Sequence, residues 1–413
     1  MWIERDISQF FINYSGLEAA VLLGPRQVGK SSLLTKIQAD PRAFVALDDL
    51  QLRSIAQRDP ALLLLNKPSP TIIEEFQYAP DLLPQIKLLI DRERRSEEVV
   101  DGEKIGVKYL LSGSNQIEVE KALRESLAGR ATFFSLHGLS VHEILRHRRD
   151  IAIEEILFRG GFPDLYRRME IDPIAYLNDY ISTFVEKDIA RSAGVTKLNE
   201  FMTVTKLAAA RVGNLIDYSS LGNDAGVASK TVSEWIALLE RARIVTLLRP
   251  YSSNLNSRLI KSPKIYFLDP GLVTRLQGHQ FRDSIIASPQ AGAIFENLVV
   301  SEIIKVRDHF RLDLQMWFWR TKSGEELDII VQLGEKRIFI EVKLAIQGVT
   351  PVRAPRSVQK EFPTISPIWI VSIGGENQRL SEECYQVPIS MLTERLLGYF
   401  TGETSSDKGQ ERN

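Results

Sequence analysis

The chain has 413 residues, enough for two or three domains that each bury a hydrophobic core. Its 52 Lys and Arg residues nearly balance 53 Asp and Glu residues, which excludes a global electrostatic attraction to nucleic acid or to a membrane surface. The single cysteine, Cys384, excludes an intrachain disulfide and a cysteine-rich metal site, and it fits a reducing compartment. The first residues lack the pattern of a signal peptide, and no apolar run is long enough to span a membrane. We therefore expect a soluble, cytoplasmic protein.

The first motif along the chain is a phosphate-binding sequence. An apolar run, residues 19–23, predicts a buried strand, and residues 31–37 predict a helix. Between them lies a complete G-x-x-x-x-G-K-[ST] match, in which backbone N–H groups would surround phosphate oxygens at the start of the helix. Lys30 would bridge the β- and γ-phosphates and Ser31 would bind Mg²⁺, whereas a Gly/Lys surface turn is the alternative. The predicted nucleotide-binding residues are Gly24, Pro25, Arg26, Gln27, Val28, Gly29, Lys30, Ser31 and Ser32.

A second apolar run, residues 71–73, predicts a strand that ends in two carboxylates, Glu74 and Glu75. This order is typical of a Walker B element, in which the first acid holds the Mg²⁺ that accompanies ATP and the second orients and polarises the attacking water. The first acid is ordinarily Asp, so we expect Glu74 to weaken hydrolysis without abolishing nucleotide binding. Two surface acids at the end of a strand are the alternative interpretation.

Two further groups are candidates for the hydrolytic site. Ser114 and Asn115 follow a predicted strand over residues 107–111, where a polar side chain can contact the γ-phosphate or its water, although the same residues also form ordinary turns. Arg130 precedes another predicted strand, residues 131–134. It would stabilise transferred charge in the same subunit or in a neighbouring one, and a solvated arginine is the alternative.

These segments together resemble the N-terminal module of a prokaryotic AAA+-type P-loop ATPase family whose members carry a trailing C-terminal domain of unknown function. The resemblance covers about the first 150 residues, and its segments are GPRQVGKSSLL, IIEEFQYAPDLLPQIK, LLSGSNQ and LAGRATFFSLHGLSVHE. It extends to GGFPDLY and DYISTFVEKDI, at residues 160–166 and 179–189, which match the second half of that family. The resemblance implies ATP as the nucleotide, and no guanine-specific N-K-x-D signature is apparent.

The middle of the chain predicts a winged-helix module. After a Gly/Pro break at residues 160–163 and a helix over residues 174–189, three helical segments precede two apolar strands, and their ranges are 201–215, 220–225, 230–242, 244–248 and 264–268. Residues from Ser229 onward would begin the recognition helix. Residues 206–261 contain eight Lys or Arg residues and four Asp or Glu residues, an excess that suits phosphate contacts. Double-stranded DNA and a partner protein both remain open as the ligand.

The C-terminal part carries a pattern of nucleases. Asp328 is followed, after twelve intervening residues, by Glu341-x-Lys343, as in restriction-endonuclease-like enzymes. Asp328 and Glu341 would hold Mg²⁺, Lys343 would position or help to deprotonate water, and Glu296 on a predicted helix over residues 291–307 would be the fourth member. A charged structural cluster that cuts nothing is the alternative.

The sequence therefore predicts an α/β protein: a P-loop NTPase (AAA+-like) parallel-sheet domain, a winged-helix module and a restriction-endonuclease-like domain. The predicted ranges are 1–155, 156–285 and 286–400, followed by a disordered tail at 401–413. The predicted function is that of an ATPase, with ATP and Mg²⁺, which couples nucleotide state to a C-terminal half that binds DNA or protein. The alternatives are an ATP-gated Mg²⁺-dependent DNA nuclease and an ATP-dependent scaffold with weak catalysis. An oligomer is compatible with each of these functions, and no membrane partner is expected.

Overall fold

A computed structural model describes residues 2–12, 16–37, 40–65, 67–97, 107–113, 123, 126–189, 194–251, 262–345, 348–364 and 366–402. The chain divides into two compact units, Glu4–His137 and a second unit that comprises Met1–Ile3 and Gly138–Asn413. Each unit is described by itself. The predicted sensors Ser114 and Asn115 lie outside the described residues, as does nearly all of the predicted tail.

The N-terminal unit contains a five-stranded sheet in the order β2-β3-β4-β1-β5, with every pairing parallel. Its strands are β1 (Ala19–Leu23), β2 (Phe44–Ala46), β3 (Thr71–Glu74), β4 (Tyr109–Gly113) and β5 (Ala131–Ser135). Its helices are α1 (Ser8–Ile12), α2 (Lys30–Ile37), α3 (Leu50–Arg58), α4 (Pro60–Leu64) and α5 (Leu82–Glu97).

The continuous apolar run of β1 explains its central position in this sheet. All five of its residues are buried, as expected for a parallel strand that is covered on both faces. Because the strands are parallel, β1, β3 and β4 all end at the same edge, where ligands bind in open α/β sheets. The predicted parallel-sheet α/β fold of this part of the chain is confirmed.

The first half of the C-terminal unit is mostly helical. Its helices are α6 (Val141–His147), α7 (Ile153–Arg159), α8 (Asp164–Arg167), α9 (Pro173–Tyr180), α10 (Leu198–Ala210), α11 (Tyr218–Ala225), α12 (Ser229–Arg241), α13 (Pro270–Leu276) and α14 (Asp283–Ile286). Strands β6 (Val245–Leu248) and β7 (Lys264–Phe267) form an antiparallel ribbon. The three helices and two strands predicted in this segment are present, and Trp235 packs edge-on against Phe201 in the core.

One predicted helix differs from the structure. The α-helix that begins at Pro173 ends at Tyr180 and continues as wider π-helical turns over Ile181–Ile189. At the junction, the hydroxyls of Ser182 and Thr183 both donate to the carbonyl of Asp179. Such side-chain hydrogen bonds compete for the acceptors of the helical ladder and loosen it locally.

The second half contains a six-stranded mixed sheet in the order β12-β13-β11-β10-β9-β8. Its strands are β8 (Gln315–Arg320), β9 (Glu326–Leu333), β10 (Lys336–Lys343), β11 (Ile368–Ser372), β12 (Gln378–Arg379) and β13 (Cys384–Pro388). Its helices are α15 (Ala291–His309), α16 (Arg356–Glu361) and α17 (Leu392–Thr401). Helix α15 packs against β7, β10, α13 and α17 and is buried on almost all sides. Within the described residues, no helix is both long enough and apolar enough to cross a membrane.

Candidate nucleotide site and acidic cluster

The phosphate-binding loop lies where β1 ends and α2 begins, at the carboxyl edge of the parallel sheet. Gln27 and Gly29 have positive φ angles of 63° and 96°, the left-handed conformations that turn the chain back on itself. Gly24 lies so close to the segment after β5 that an added Cβ would be 2.2 Å from the carbonyl oxygen of Leu136. The loop is therefore a close-packed turn, in which a side chain at Gly24 has no room.

Arg5 holds this loop in place through hydrogen bonds, a role that the sequence analysis did not predict. Its side chain is only 3% exposed, and its guanidinium donates to the carbonyl of Val28 at 2.7 Å and to that of His137 at 2.6 Å. A planar guanidinium that holds two carbonyls keeps the loop in register with the chain beyond β5. No sequence motif marks Arg5, because it lies before the first strand.

The side chain of Lys30 points into the loop. It is 6% exposed, and its Nζ donates to the carbonyls of Gly24 at 2.8 Å and Pro25 at 2.7 Å. Burial lowers the pKa of Lys30 to about 8, against the opposing effect of the Glu75 and Glu74 carboxylates. The ammonium thus lies where the phosphates of a nucleotide are expected, held by two weak backbone acceptors that a phosphate can replace.

The predicted Mg²⁺ ligands Ser31 and Glu74 meet at this edge. Glu74 is the last residue of β3, and its carboxylate is hydrogen-bonded to the side chain of Ser31. Burial raises the pKa of Glu74, and the hydrogen bond from Ser31 opposes that shift. A hydroxyl and a carboxylate in contact beside the phosphate loop are the oxygen ligands that Mg²⁺ prefers, so the residues present fit a nucleotide-bound Mg²⁺.

Glu75 follows in a strained backbone conformation. Its φ of 51° and ψ of 44° are left-handed, which is uncommon for a residue with a long side chain and is found most often at functional sites. Its carboxylate accepts a hydrogen bond from Gln77, whose side-chain oxygen would lie 2.8 Å from a Cβ added at Gly113 on β4. Gln77 therefore donates to the second acid and packs closely against the neighbouring strand. Both acids are close enough to act on the charge of Lys30.

Arg130 lies at the opposite edge of the same sheet. It directly precedes β5, whose first residue, Ala131, pairs with Ala19 at the start of β1, whereas the phosphate loop follows the end of β1. Its guanidinium forms a two-point ion pair with Asp91 at 2.6 and 3.0 Å. This position argues against the expected role in the same subunit. Because the strands are parallel and in register, Arg130 is separated from the phosphate loop by the full length of a strand. A role toward a neighbouring subunit stays a prediction.

The four residues of the nuclease-like pattern come together in the C-terminal unit. The paired part of β9 and β10 reaches Ile329 and Ile340, and just beyond it Asp328 accepts a hydrogen bond from the N–H of Val342 at 2.8 Å. Glu341 lies 3.3 Å from the ammonium of Lys343. Burial and the neighbouring Asp328 carboxylate raise the pKa of Glu341 to about 7.

Glu296 joins this group from α15, but with partners that sequence reasoning missed. Its carboxylate accepts hydrogen bonds from the Tyr266 hydroxyl and from Lys264, whose Nζ is 3.2 Å away. Lys264 also lies 2.9 Å from Glu326 on β9. The sequence K-I-Y-F of β7 could have indicated these partners. Its lysine and tyrosine occupy alternate positions of an otherwise apolar strand and therefore share one face.

The segment GGFPDLY, part of the family resemblance, is a packing motif in the C-terminal unit. A Cβ added at Gly160 would lie 2.2 Å from the carboxylate of Asp269, and one at Gly161 would lie 2.7 Å from the carbonyl of Leu139. Asp269 accepts the N–H of Gly161 at 2.7 Å, and the Tyr166 hydroxyl donates to the Gly160 carbonyl. These residues join three segments of backbone and leave no space for a ligand.

Comparison with protein families divides the chain into three matches. Residues 17–145 match the AAA domain, residues 151–283 match a domain of unknown function (DUF8612), and residues 291–392 match another (DUF4143). The predicted resemblance is therefore confirmed: an AAA domain is followed by C-terminal domains of unknown function.

Relatives occur in different bacteria. An uncharacterized protein of Mycobacterium tuberculosis is 29% identical over 377 residues, which are 90% of this chain and 80% of the relative. One of Haemophilus influenzae is 23% identical over 360 residues, 79% of this chain and 82% of the relative. Among solved structures, the ORC2 protein of Aeropyrum pernix in its ADPNP-ADP complexes is 12% identical, with a TM-score of 0.31 over 72% of this chain and 93% of that chain. A likeness this low supports no further argument.

Proposed function

From the AAA domain over residues 17–145, we propose that the protein binds ATP with Mg²⁺ and hydrolyses it. The observation that carries the proposal is the buried ammonium of Lys30, which points into the loop while Ser31 and Glu74 touch beside it.

The residues of the site have different roles in binding and hydrolysing ATP. Backbone N–H groups of the loop and the start of α2 bind the phosphates, and Lys30 exchanges its two carbonyl acceptors for phosphate oxygens. Ser31 and Glu74 would hold the Mg²⁺ that accompanies ATP, and the ion would supply positive charge beside the phosphates. Glu75 accepts a hydrogen bond from the attacking water and orients it, with Gln77 fixing the carboxylate.

The test of binding is Lys30→Ala, with Lys36→Ala as the matched control. Lys36 is an exposed lysine on the same helix, so its loss leaves the loop unchanged. Removing the Lys30 ammonium takes away charged hydrogen bonds worth about 3 kcal/mol, so that calorimetry should record MgATP affinity about 100-fold weaker. Affinity equal to that of the control would refute the assignment of the loop.

The test of hydrolysis is Glu75→Gln. The amide keeps the shape and the contact with Gln77 but cannot act as a base, so we expect ATP to bind while turnover falls by about 10² or more. Glu74→Asp restores the usual acid of the Walker B element and should raise turnover if the longer side chain slows hydrolysis. If turnover is negligible in the wild type and unchanged in both variants, while ATP binds tightly, the scaffold alternative replaces the ATPase.

For the C-terminal half, we propose that α10, α11, α12 and the β6–β7 ribbon form a winged-helix module within residues 156–285. Three helices followed by an antiparallel ribbon support this assignment, with α12 starting at Ser229 as the recognition helix. ATP turnover with and without double-stranded DNA, at two salt concentrations, separates the two partner classes. Salt-sensitive stimulation by DNA indicates phosphate contacts, and its absence favours a partner protein.

We also propose that residues 286–400 form a restriction-endonuclease-like domain, supported by the mixed sheet and by the gathering of Asp328, Glu341 and Lys343. The nuclease alternative is weaker, because Glu296 is already paired with Lys264. A plasmid assay with Mg²⁺ and an Asp328→Ala control separates a nuclease from a domain that does not cut. Cleavage that the control lacks would establish the nuclease.

A further inference from the structure

The D…E-x-K pattern implies a divalent cation at Asp328 and Glu341, and the structure offers poor conditions for one. In the part of the chain that the structure describes, no three His, Cys, Asp or Glu side chains converge in a geometry that could hold a metal ion. Asp328 accepts the backbone N–H of Val342, and Glu341 faces the ammonium of Lys343. The residues therefore do not fit a metal ion as they stand.

A lysine supplies positive charge to this cluster instead. The Nζ of Lys264 lies 2.9 Å from Glu326 and 3.2 Å from Glu296, and the side chain is only 3% exposed. The ring of Phe318 lies below the ammonium, at 5.5 Å from its centroid. Burial lowers the pKa of Lys264, but the surrounding carboxylates, including Asp328, outweigh it and raise the pKa above its usual value. The lysine is thus a buried cation in contact with two carboxylates.

The position of Lys264 is fixed by the strand that carries it. Strand β7 pairs with β6, and the backbone of Ile265 exchanges hydrogen bonds with Gly213 and Asn214 at 2.9 and 3.2 Å. On the side of α15, the N–H of Phe267 donates to the Asn297 side chain at 2.6 Å, and the Tyr266 hydroxyl donates to Glu296. The ribbon is therefore docked on α15 at consecutive residues.

We propose that Lys264 is an internal cation that takes the place of a divalent metal in this nuclease-like domain. While the ribbon is docked, its ammonium neutralises Glu296 and Glu326 and excludes a second cation by repulsion. The cluster then acts as an ion-paired joint between the ribbon and the β9–β10 hairpin, and the wild-type domain binds no metal at Asp328. Removing the lysine would turn the same carboxylates into a cation site. This inference is independent of the proposed ATPase.

The test is Mn²⁺ binding to the nucleotide-free full chain, followed by electron paramagnetic resonance. The wild type and Asp328→Asn should bind equal amounts of Mn²⁺, because no metal is held at Asp328. Lys264→Met, which keeps an unbranched side chain of nearly the same length without its charge, should bind one additional Mn²⁺ per chain. That ion should be lost in the Lys264→Met, Asp328→Asn double variant and absent in Lys264→Arg. Wild-type binding that Asp328→Asn abolishes would overturn the proposal, as would a folded Lys264→Met that gains no site.

Folding of the variant is part of the same test. Loss of the ammonium leaves Glu296 buried without its counterion, so Lys264→Met is expected to melt earlier than wild type and to regain its melting temperature in Mn²⁺ but not in NaCl of equal ionic strength. A variant that stays unfolded with or without Mn²⁺ would count against the proposal, because a metal should replace the missing charge. MgATP affinity measured alongside reports separately on the N-terminal site.

Discussion

Gly24 is packed closely against the chain beyond β5 in the nucleotide site. In Gly24→Ala, the new Cβ would lie 2.2 Å from the Leu136 carbonyl oxygen, 3.2 Å from its carbonyl carbon and 3.3 Å from the Val28 side chain. Ordinary contacts begin at 3.4 Å, so the loop or the Leu136 carbonyl has to move by about 1.2 Å. Leu136 is not free to yield, because its own N–H donates to the carbonyl of Leu23 at 2.8 Å. The displacement is therefore expected in the loop.

A shift of this size decides the effect on binding. The donor–acceptor distances of backbone N–H···O hydrogen bonds vary over a range of only about 0.5 Å. A displacement of about 1.2 Å therefore breaks the hydrogen bonds at the affected end of the loop. Losing two such bonds to a charged phosphate removes about 3–6 kcal/mol, or roughly a 10²- to 10⁴-fold loss of affinity. Overpacking should also destabilise the unit by about 1–3 kcal/mol.

The assay is calorimetric titration of MgATP together with thermal unfolding. The matched control is Gly292→Ala in α15, where an added Cβ meets no atom within 4 Å. This control should bind MgATP as the wild type does and gain up to about 1 kcal/mol from better helix propensity. If Gly24→Ala binds MgATP within a factor of three of the wild type, the packing of this loop is not what holds the phosphates, and the reasoning fails.

Two ion pairs give the remaining predictions. Arg94 donates to both carboxylate oxygens of Glu18; burial raises the pKa of this acid, but these bonds outweigh it and the net pKa is lowered. Because the folded pKa of Glu18 is lowered, its ion pair adds stability above the usual pKa of 4.5, and that stability is lost as pH falls through the folded pKa. Urea unfolding should therefore find Glu18→Gln about 1 kcal/mol less stable than wild type at pH 7, and the difference should shrink as pH falls below 4.5. A difference independent of pH would contradict this. Lys305 is buried and lies 2.7 Å from the buried Glu302. Lys305→Met should lower the free energy of unfolding by about 3–5 kcal/mol, because it leaves the Glu302 carboxylate buried without a counterion. Adding Glu302→Gln to that variant should recover part of the loss in the same unfolding experiment, whereas additive losses would show that the two charges do not interact.

Much of the nucleotide site was predictable because its signals are local. The strand, the glycine-containing turn and the helix are consecutive in sequence, and the end of β3 places Glu74 and Glu75 at the shared edge of a parallel sheet. Arg5 could not be found in this way, because its two carbonyl acceptors are 23 and 132 residues away. The position of Arg130 could not be predicted for a related reason, since only the strand register reveals at which edge of the sheet it lies.

In the acidic cluster, the sequence determines which residues share a site, and the tertiary structure determines which cation they meet. The spacing of Asp328, Glu341 and Lys343 depends only on a hairpin and on the two-residue period of a strand, so the sequence alone predicts that they share a site. Which cation that site holds was decided only by the tertiary structure, because Lys264 reaches it from a separate ribbon that is docked on α15. Local periodicity determines which faces side chains occupy, whereas the charge that a buried acid meets depends on which distant segment packs against it.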